Sequence, residues 1–444
     1  MYSSLLLSFA IVAPLWVYFL PMTPTAVKKY LSARAISGPW TISGTYQGNF
    51  DGVIMIPALA ESETLFATLH SLAENPLEFV SRFLVLVVVN NREDASQTDK
   101  ADNKKTLELL ARGVPSLQAL RLVWVDAASA GCELPAKKGG VGLARKIGFD
   151  LALPLLDFTG PAPILVALDA DTLVQPDYLP ALVKHFRSTS AGGAVLAFRH
   201  QKGQTPQESQ AIRCYELFLR AYVLGLSRAG SPYAFHTIGS AMACTAAAYV
   251  GMGGMNTRMA AEDFYFLQHL KKTSGIASVA GTFVHPSARA SHRVPFGTGK
   301  SISRLLAGGE RAVLFYQAEC FAILKDWLAL VADRLDSCGQ NIQNQAEAIS
   351  PELEKYLRQA GFVAAWEKLR KNSRDQAALL TAFHSWFDGL RTLKLIHHLS
   401  DTILVRKSRE ESLPTLLEWA GLEQLCDPDR QLALLRALQA PESC

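Results

Sequence analysis

The amino-acid sequence predicts an α/β protein with a mainly parallel sheet covered by helices on both faces, followed by an α-helical C-terminal region. Apolar and amphipathic stretches alternate between residues 52 and 200, which is the pattern of consecutive β-α units. The stretch 82–91, RFLVLVVVNN, has no polar residue from position 83 to 89, so its sheet should be covered on both sides. After about residue 300 the pattern is helical, and no strand is predicted there.

Five strands and the helices between them account for this prediction. The first strand, GVIMIP, ends at Pro57, and the third, LRLVWVD, ends at Asp126. The polar stretch REDASQTDKADNKK is expected to be an exposed loop that enters a helix. The predicted strands are 52–57, 82–91, 120–126, 162–171 and 192–200, and the predicted helices between them are 62–75, 140–156 and 176–186.

Length and composition indicate an ordinary globular enzyme with a large core. The chain has 444 residues, of which 49% are hydrophobic and 19% charged. We divide it into an apolar N-terminal segment (1–48), an α/β domain (49–310) and a helical region (311–444). The net charge of +4 has no basic run behind it, so nucleic acid is not an expected partner. The seven cysteines form no CxxC pair, which argues against structural zinc and favours reduced thiols in the cytoplasm.

The N-terminal segment is predicted to meet a membrane or the protein's own surface. Residues 1–27 carry no charged side chain, and 5–20 are almost wholly apolar, although Pro14 would kink a helix there. The apolar run is shorter than the ~20 residues that span hydrocarbon. It lacks the basic start of a signal peptide. Lys28 and Lys29 follow it, so an inserted segment would leave the chain on the cytoplasmic face.

Two carboxylates stand close together at the end of the fourth strand. In LVALDADTLV (165–174), Asp169 and Asp171 are separated by one alanine, and side-chain alternation in an extended chain would point them the same way. Their charges repel and lose hydration, so a positive partner is expected. Ligands of open α/β sheets bind at the carboxyl ends of strands, where paired carboxylates suit Mg²⁺ or Mn²⁺. Alternatively, Asp171 caps the following turn and Asp169 accepts from backbone amides.

Several motifs in sequence order resemble those of family 2 glycosyltransferases. The resemblance covers about residues 50–310 and implies the GT-A fold of nucleotide-diphospho-sugar transferases. That family moves a sugar from a nucleoside diphosphate to an acceptor hydroxyl. The motifs are IMIPALAESETL (54–65), VVVNNRE (87–93), GVGLARKIGFDLA (140–152), LDADT (168–172) and GSAMACTAAAYVGMGGMNTRMAAEDFYFLQHL (239–270), and HRVPFGTG (292–299) resembles a segment of a bacterial subgroup.

The resemblance implies a Mn²⁺ or Mg²⁺ site at the two aspartates. Asp171 would be the firmer ligand, and Asp169 would lean toward the ribose or the metal. His292, or else His285, would complete the site as one histidine does in some GT-A enzymes. The alternative for each histidine is an ordinary structural hydrogen bond.

The resemblance also implies a general base at the Glu262–Asp263 pair. Asp263 would take the acceptor's proton, which favours an inverting single displacement, with Glu262 beside it. Alternatively, both carboxylates occupy the first turn of a helix because its dipole favours them. Arg145 would bind a phosphate or a carboxylate, or form a salt bridge that holds its helix.

The implied partners are a nucleoside-diphosphate sugar and an unknown acceptor with a hydroxyl. Asn90 and Asn91 stand where the family has an acidic pair, which bears on base recognition. UDP is favoured over GDP, and guanine stays open. The implied donor-binding residues are Pro57, Glu61, Asn90, Asn91, Asp126, Arg145 and Asp169.

Four other functions are weighed against this one. A GT-A protein that binds sugar nucleotides without catalysis keeps the same motifs. A haloacid-dehalogenase-like phosphatase also uses DxD, but it favours glycine after the second Asp, where Thr172 stands, and an early position in its domain. A nicotinamide dehydrogenase would need GxGxxG after the first strand, where PALAESE stands. A processive polymer synthase is disfavoured because QxxRW is absent.

Overall fold

A single mixed sheet organises the first two thirds of the chain. The computed structural model describes residues 23–290, 298–309 and 312–440. In these ranges the strands are β1 (Ile42–Ser43), β2 (Gly52–Ala58), β3 (Phe83–Asn90), β4 (Arg121–Ala127), β5 (Ile164–Ala167), β6 (Leu173–Val174), β7 (Gly193–Phe198), β8 (Met242–Thr245) and β9 (Ile276–His285).

The sheet has a parallel half and a mixed half. Its spatial order is β1-β4-β3-β2-β5-β8-β7-β9-β6. The four strands β4, β3, β2 and β5 run parallel to one another. β8 is antiparallel to both of its neighbours, and β9 is again parallel to β7. The strand ends that the sequence predicted to face a ligand therefore lie along one edge of the parallel half.

Helices separate and cover the strands and then form the whole remainder of the described chain. They are α1 (Thr25–Ala33), α2 (Leu65–Ala73), α3 (Leu77–Val80), α4 (Gln97–Arg112), α5 (Val141–Ala152), α6 (Tyr178–Ser188), α7 (Pro206–Arg228), α8 (Ala246–Gly251), α9 (Glu262–Thr273), α10 (Thr298–Gly308), α11 (Ala318–Asp333), α12 (Gly339–Ile349), α13 (Pro351–Gln359), α14 (Phe362–Asn372), α15 (Gln376–Trp386), α16 (Gly389–Thr402), α17 (Arg409–Trp419) and α18 (Pro428–Leu438).

Alternate residues of the central strand enter two different cores. Val53 and Met55 of β2 pack with α5 and α9 on one face of the sheet. Ile54 and Ile56 pack with α2 and α6 on the other face. All four side chains are fully buried, because successive side chains of a strand point to opposite faces and both faces are covered. The predicted α/β architecture with an α-helical C-terminal region is confirmed.

The long helix α7 carries the core of the helical region. Thr205 caps α7 with Glu208 in a capping box, and Pro206 occupies the first turn. Its buried residues, including Leu217 and Leu224, pack with α10, α11, α17 and α18. Trp327 and Trp366 lie deep in the same core. By sequence, α7 belongs to the predicted α/β domain. Its buried side chains, however, pack in the core of the helical layer that the C-terminal helices form.

The N-terminal helix α1 is held against α5 by hydrogen bonds around Asp150. Buried Asp150 accepts hydrogen bonds from the Tyr30 and Tyr249 hydroxyls at 2.8 Å each, and from Lys146 at 2.7 Å. The apolar segment 5–20, predicted to meet a membrane, lies outside the described residues. None of the helices in the described ranges combines the length and apolarity that crossing a bilayer requires.

Candidate functional site

The two aspartates lie in a tight turn beyond the fourth predicted strand. β5 ends at Ala167, four residues earlier than predicted, and Thr172 N–H donates to the Asp169 carbonyl at 3.1 Å to close the turn. The proximity of Asp169 and Asp171 therefore comes from this turn and not from strand alternation. Their carboxylates pair with arginines, so the alternative of caps and backbone amides does not describe them.

Arg145 joins the first aspartate to the acidic pair of α9. Its Nη2 donates to Asp169 Oδ1 at 2.5 Å, and its Nη1 donates to Glu262 Oε1. The Arg145 side chain is only 2% exposed. Burial by itself lowers the pKa of this guanidinium, but the charges of Asp169 and Glu262 outweigh burial and raise it. The salt bridges expected as the alternative role of Arg145 are thus present, and its binding of a phosphate or a carboxylate of a ligand stays a prediction.

Two glycines make room for this arginine and its partner. A Cβ on Gly239 would lie 2.4 Å from Arg145 Nη2, and a Cβ on Gly142 would lie 2.5 Å from the Arg258 carbonyl. Gly148 similarly lets α5 approach Met55 of β2. Small residues in the predicted helix and acceptor-side motifs therefore serve close packing around the guanidinium.

The second aspartate pairs with an arginine that sequence analysis did not select. Arg289 Nε and Nη2 donate to Asp171 Oδ2 at 3.0 and 2.9 Å, and Nη2 also contacts Glu61. Glu61 accepts from Thr64 Oγ1 at the start of the loop after β2. The Asp171 backbone carbonyl accepts from Gln201 Nε2 at 2.9 Å. Arg289 lies 118 positions from Asp171 and outside the quoted motifs, so only folding could reveal the pair.

Left-handed backbone conformations precede both acidic loops. Ala60 and Ala261, with φ of 53° and 56°, are the non-glycine residues with positive φ in the parts of the chain that the structure describes. Each directly precedes a site carboxylate, Glu61 or Glu262. Such conformations cost of order 1 kcal/mol or more for alanine and cluster at functional sites.

Asp263 is a site carboxylate whose pKa is raised far above its usual value. Burial of its carboxylate and the neighbouring charge of Glu262 raise its pKa to about 7, although Arg145 opposes them. Its Oδ1 accepts the Phe264 N–H at 2.7 Å in the first turn of α9. A carboxylate with a pKa near neutrality can accept a proton at physiological pH and release it again. Glu262, by contrast, is buried against Arg145.

The predicted base-side residues lie at the ends of β3 and β4. Asn91 donates to the Arg92 and Ala128 carbonyls and accepts from Asn103 at 2.8 Å. Asn90 donates to the β3 and β2 carbonyls at 3.0 and 3.2 Å. These two side chains support the loops by backbone bonds, and Asn103, which also accepts the Ala60 N–H, is a further member that sequence analysis missed.

Asp126 and Pro57 lie near the carboxyl ends of β4 and β2. Asp126 Oδ1 accepts the N–H groups of Ala128 and Ser129 at 3.0 and 2.9 Å, which fixes the turn after β4. Pro57 lies in β2 beyond Met55, the last β2 residue paired with β5, where the sheet opens.

The donor set of the two aspartates fits a hard divalent cation. Each carboxylate gives one oxygen to an arginine, and no hydrogen bond from the described residues reaches the other oxygen. One or two carboxylates completed by phosphate oxygens and water is a usual Mg²⁺ or Mn²⁺ arrangement. No cluster of three or more His, Cys, Asp or Glu side chains with metal-binding geometry occurs in the described ranges. His285 bonds the Arg199 carbonyl through Nδ1 at 3.0 Å, and His292 lies outside the described residues.

Comparison with known proteins finds distant structural similarity only. No protein-family model and no curated sequence matches the chain. S. aureus TarS 1-349 in complex with UDP-GlcNAc is similar at 14% identity and TM-score 0.38, over 76% of this chain and 91% of that chain. Mannosyltransferase PcManGT from Pyrobaculum calidifontis, in complex with GDP-Man and Mn²⁺, is similar at 16% identity and TM-score 0.37, over 84% and 90%.

A third similar structure is GalNAc-T7 with UDP, GalNAc and Mn²⁺, at 14% identity and TM-score 0.33, over 59% of this chain and 48% of that chain. All three TM-scores lie below 0.5. Evidence for a function therefore comes from the side chains of this site and from the motifs that carry the resemblance.

Proposed function

We propose that this protein is a divalent-metal-dependent glycosyltransferase of GT-A type, similar to family 2, that moves a sugar from a nucleoside diphosphate to an acceptor hydroxyl. One observation carries the proposal. Asp263, a carboxylate with a pKa of about 7, is connected through Glu262 and Arg145 to the Asp169–Asp171 turn. A proton acceptor and a cation-binding acidic turn thus belong to one rigid cluster.

The proposed reaction is an inverting single displacement. The acceptor oxygen forms a bond to the anomeric carbon as the bond from that carbon to the diphosphate oxygen breaks. The acceptor proton passes to the Asp263 carboxylate, and the nucleoside diphosphate leaves with its negative charge. Glu262 cannot share the role of base, because Arg145 occupies it; it positions the guanidinium instead.

Asp169 and Asp171 would hold the cation, which neutralises charge developing on the leaving diphosphate when it is bound. Arg145 keeps Asp169 in place, since the guanidinium is itself fixed between two carboxylates. The side-chain amides of Asn90 and Asn91 donate to backbone carbonyls. We therefore propose that these two residues shape the base pocket and that Asp126 borders it. UDP remains the favoured nucleotide.

A haloacid-dehalogenase-like phosphatase fits this geometry poorly. Its nucleophile would be Asp169, which here is paired with a buried arginine.

We further propose that the protein works at the cytoplasmic face of a membrane, with the apolar segment 5–20 as its contact.

Calorimetric titration of UDP and GDP, each with and without Mn²⁺, tests the donor site. We expect one nucleotide to bind wild type only with Mn²⁺, and Asp171→Ala to lose that binding. Asp157→Ala is the matched control, because Asp157 precedes β5 at the opposite end of the strand and its side chain accepts hydrogen bonds only from Thr159 among the described residues. Folded protein that binds neither nucleotide would refute the proposal.

Donor hydrolysis separates an enzyme from a binding protein. Transfer to water needs no known acceptor, so release of nucleoside diphosphate can be followed over a panel of nucleotide sugars. Metal-dependent binding without any turnover on that panel would favour the non-catalytic alternative. The anomeric configuration of the released sugar, measured by NMR, tests inversion.

A further inference from the structure

We propose that Arg289 and a divalent cation compete for Asp171, so that Arg289 serves as the counter-cation of the donor site whenever the metal is absent. The proposal rests on the metal-binding role of Asp171 proposed above and adds a residue that regulates it. Its basis is the contact between Arg289 and the carboxylate that a cation would need.

Two nitrogens of the Arg289 guanidinium donate to the same oxygen of Asp171. Nε and Nη2 both donate to Asp171 Oδ2, at 3.0 and 2.9 Å, while Nη2 also contacts Glu61 Oε2. Charge-assisted bonds of this kind are about twice as strong as neutral ones. The carboxylates of Asp171 and Glu61 outweigh partial burial and raise the pKa of Arg289. The side chain is therefore a fixed positive charge between two negative ones.

A cation on Asp171 and this guanidinium oppose each other even though Asp171 Oδ1 receives no hydrogen bond from the described residues. Mg²⁺ binds a carboxylate oxygen at about 2.0–2.1 Å, which brings its charge close to the guanidinium on the same carboxylate, and the two positive charges repel. Gln201 holds the Asp171 carbonyl at 2.9 Å and the His285 carbonyl at 2.8 Å, which anchors the acidic turn to the end of β9. The exchange therefore requires Arg289 to move and the turn to stay.

The two arginines of the site differ in their freedom to move. Arg145 is 2% exposed and held between carboxylates of different elements, whereas the Arg289 side chain is 28% exposed. Of the two, Arg289 has the part of its side chain that already meets water. We infer that Arg145 is a permanent part of the cluster and Arg289 an exchangeable one.

Competition has a measurable consequence for metal affinity. When the binding-competent form is a fraction of the population, the apparent dissociation constant rises by the inverse of that fraction. If Arg289 holds Asp171 in about nine molecules of ten, its removal tightens metal binding about tenfold. A residue that merely positions Asp171 for the metal would give the opposite sign.

The experiment is titration of Mn²⁺ alone into nucleotide-free protein, with free Mn²⁺ followed by electron paramagnetic resonance. We expect Arg289→Gln to bind Mn²⁺ about tenfold more tightly than wild type. Arg289→Lys should fall between them, because an ammonium keeps the charge but lacks the fork that grips one carboxylate. Circular dichroism and thermal unfolding confirm that each variant is folded.

Arg199→Gln is the matched control. Arg199 lies at the end of β7 and stacks on Phe283 at 4.2 Å, and it forms no ion pair with the described residues. It removes the same charge from the same side of the sheet, so an equal effect would mean general electrostatics and overturn the proposal. Unchanged or weaker Mn²⁺ binding by folded Arg289→Gln would overturn it as well.

The two proposals fail differently. Mn²⁺ that binds wild type with UDP or GDP, but shows no gain in Arg289→Gln, would remove the competition and leave the transferase intact. Protein that binds no Mn²⁺ in any variant, with or without nucleotide, would remove the metal-dependent function and the competition together.

Discussion

Two charged clusters of this molecule are built on opposite principles. The donor-site cluster consists of Glu61, Arg145, Asp169, Asp171, Glu262, Asp263 and Arg289. The helix-interface cluster consists of His200, Glu216, Arg220 and Arg436. Among the described residues, the first has more carboxylates than guanidinium groups, and the second has a single carboxylate that faces two guanidinium groups and an imidazole ring.

The helix-interface cluster is closed. Glu216 is 1% exposed, and its oxygens accept from Arg220 at 2.8 Å, from Arg436 at 2.7 and 2.9 Å, and from the His200 ring at 2.9 Å. Burial by itself raises the pKa of Glu216, but the bonds of His200 and Arg436 and the charge of Arg220 hold it far below its usual range. Every partner comes from the protein, and the cluster ties α7 to α18.

The donor-site cluster is incomplete by comparison. Among the described residues, the carboxylates of Asp169, Asp171, Glu262 and Asp263 face the two guanidinium groups of Arg145 and Arg289, and one oxygen each of Asp169 and Asp171 receives no hydrogen bond. Asp263 relieves part of the excess by its pKa of about 7. The difference teaches that a buried carboxylate whose oxygens all have protein donors stabilises a fold, while carboxylates with unused oxygens are kept where a ligand can supply positive charge.

The largest expected effect is on catalysis, and it concerns the donor-site cluster alone. Asp263→Asn should lower kcat for donor hydrolysis about 10²–10⁴-fold, because an amide cannot accept the nucleophile's proton. Nucleotide binding should survive, as measured by calorimetry. Asp99→Asn on the exposed face of α4 is the control. Full activity of Asp263→Asn would remove Asp263 from the mechanism.

The next effect concerns stability. Glu216→Ala should reduce the free energy of unfolding by about 3–5 kcal/mol, because it leaves buried Arg220 without its carboxylate. Glu208→Ala in the capping box of the same helix should cost about 1 kcal/mol. Chemical denaturation measures both, and equal losses would show that the buried cluster is no more important than a helix cap.

A third test uses the titration of the proposed base. The value of kcat/KM for donor hydrolysis should fall about tenfold per pH unit below about pH 7 and level off above it, because Asp263 must be ionised. A rate that stays flat from pH 5 to 8 would contradict this assignment.

The same titration predicts a smaller effect on stability. Unfolded Asp263 releases its proton near pH 4, whereas the folded protein keeps it up to about pH 7. The native state therefore binds more protons in that window, and stability falls as the pH rises through it. Asp263→Asn should be more stable than wild type by about 1–2 kcal/mol at pH 8, after solvent screening, and nearly equal to it at pH 4. Denaturation at both pH values measures it, and a gain of the same size at pH 4 would point to packing.

The smallest expected effect probes the room around Arg145. Gly239→Ala should cost about 1 kcal/mol, because the new methyl group would lie against a guanidinium that is fixed at both ends. Gly160→Ala is the control, since a Cβ there would meet open space. Identical unfolding midpoints for the two variants would show that Arg145 can shift to accommodate the methyl group.

The strands with continuous apolar runs were predictable from sequence, and those without them were not. β3 was identified because a buried parallel strand leaves no polar alternation. β8, MACT, lies in an alanine-rich stretch without β-branched runs and was not predicted. Its antiparallel pairing with β5 and β7 is a tertiary choice.

The site was predictable where its residues form local motifs. Asp169, Asp171 and Asp263 each stand in a quoted motif, and folding places Arg145 between two of these motifs. Arg289 stands alone in PSARAS, and no period or spacing marks an arginine that bonds a carboxylate 118 positions away. Long-range charge pairing carries no local signal.

The position of α7 bears on where the chain can be divided. Cutting after residue 310 would strip the helix of its partners in α11, α17 and α18 and expose Leu217 and Leu224 to water. It would also leave Glu216 without Arg436. The sheet and the helical layer should therefore melt as one cooperative unit, with a single heat-capacity peak, and a shortened catalytic fragment should aggregate when expressed.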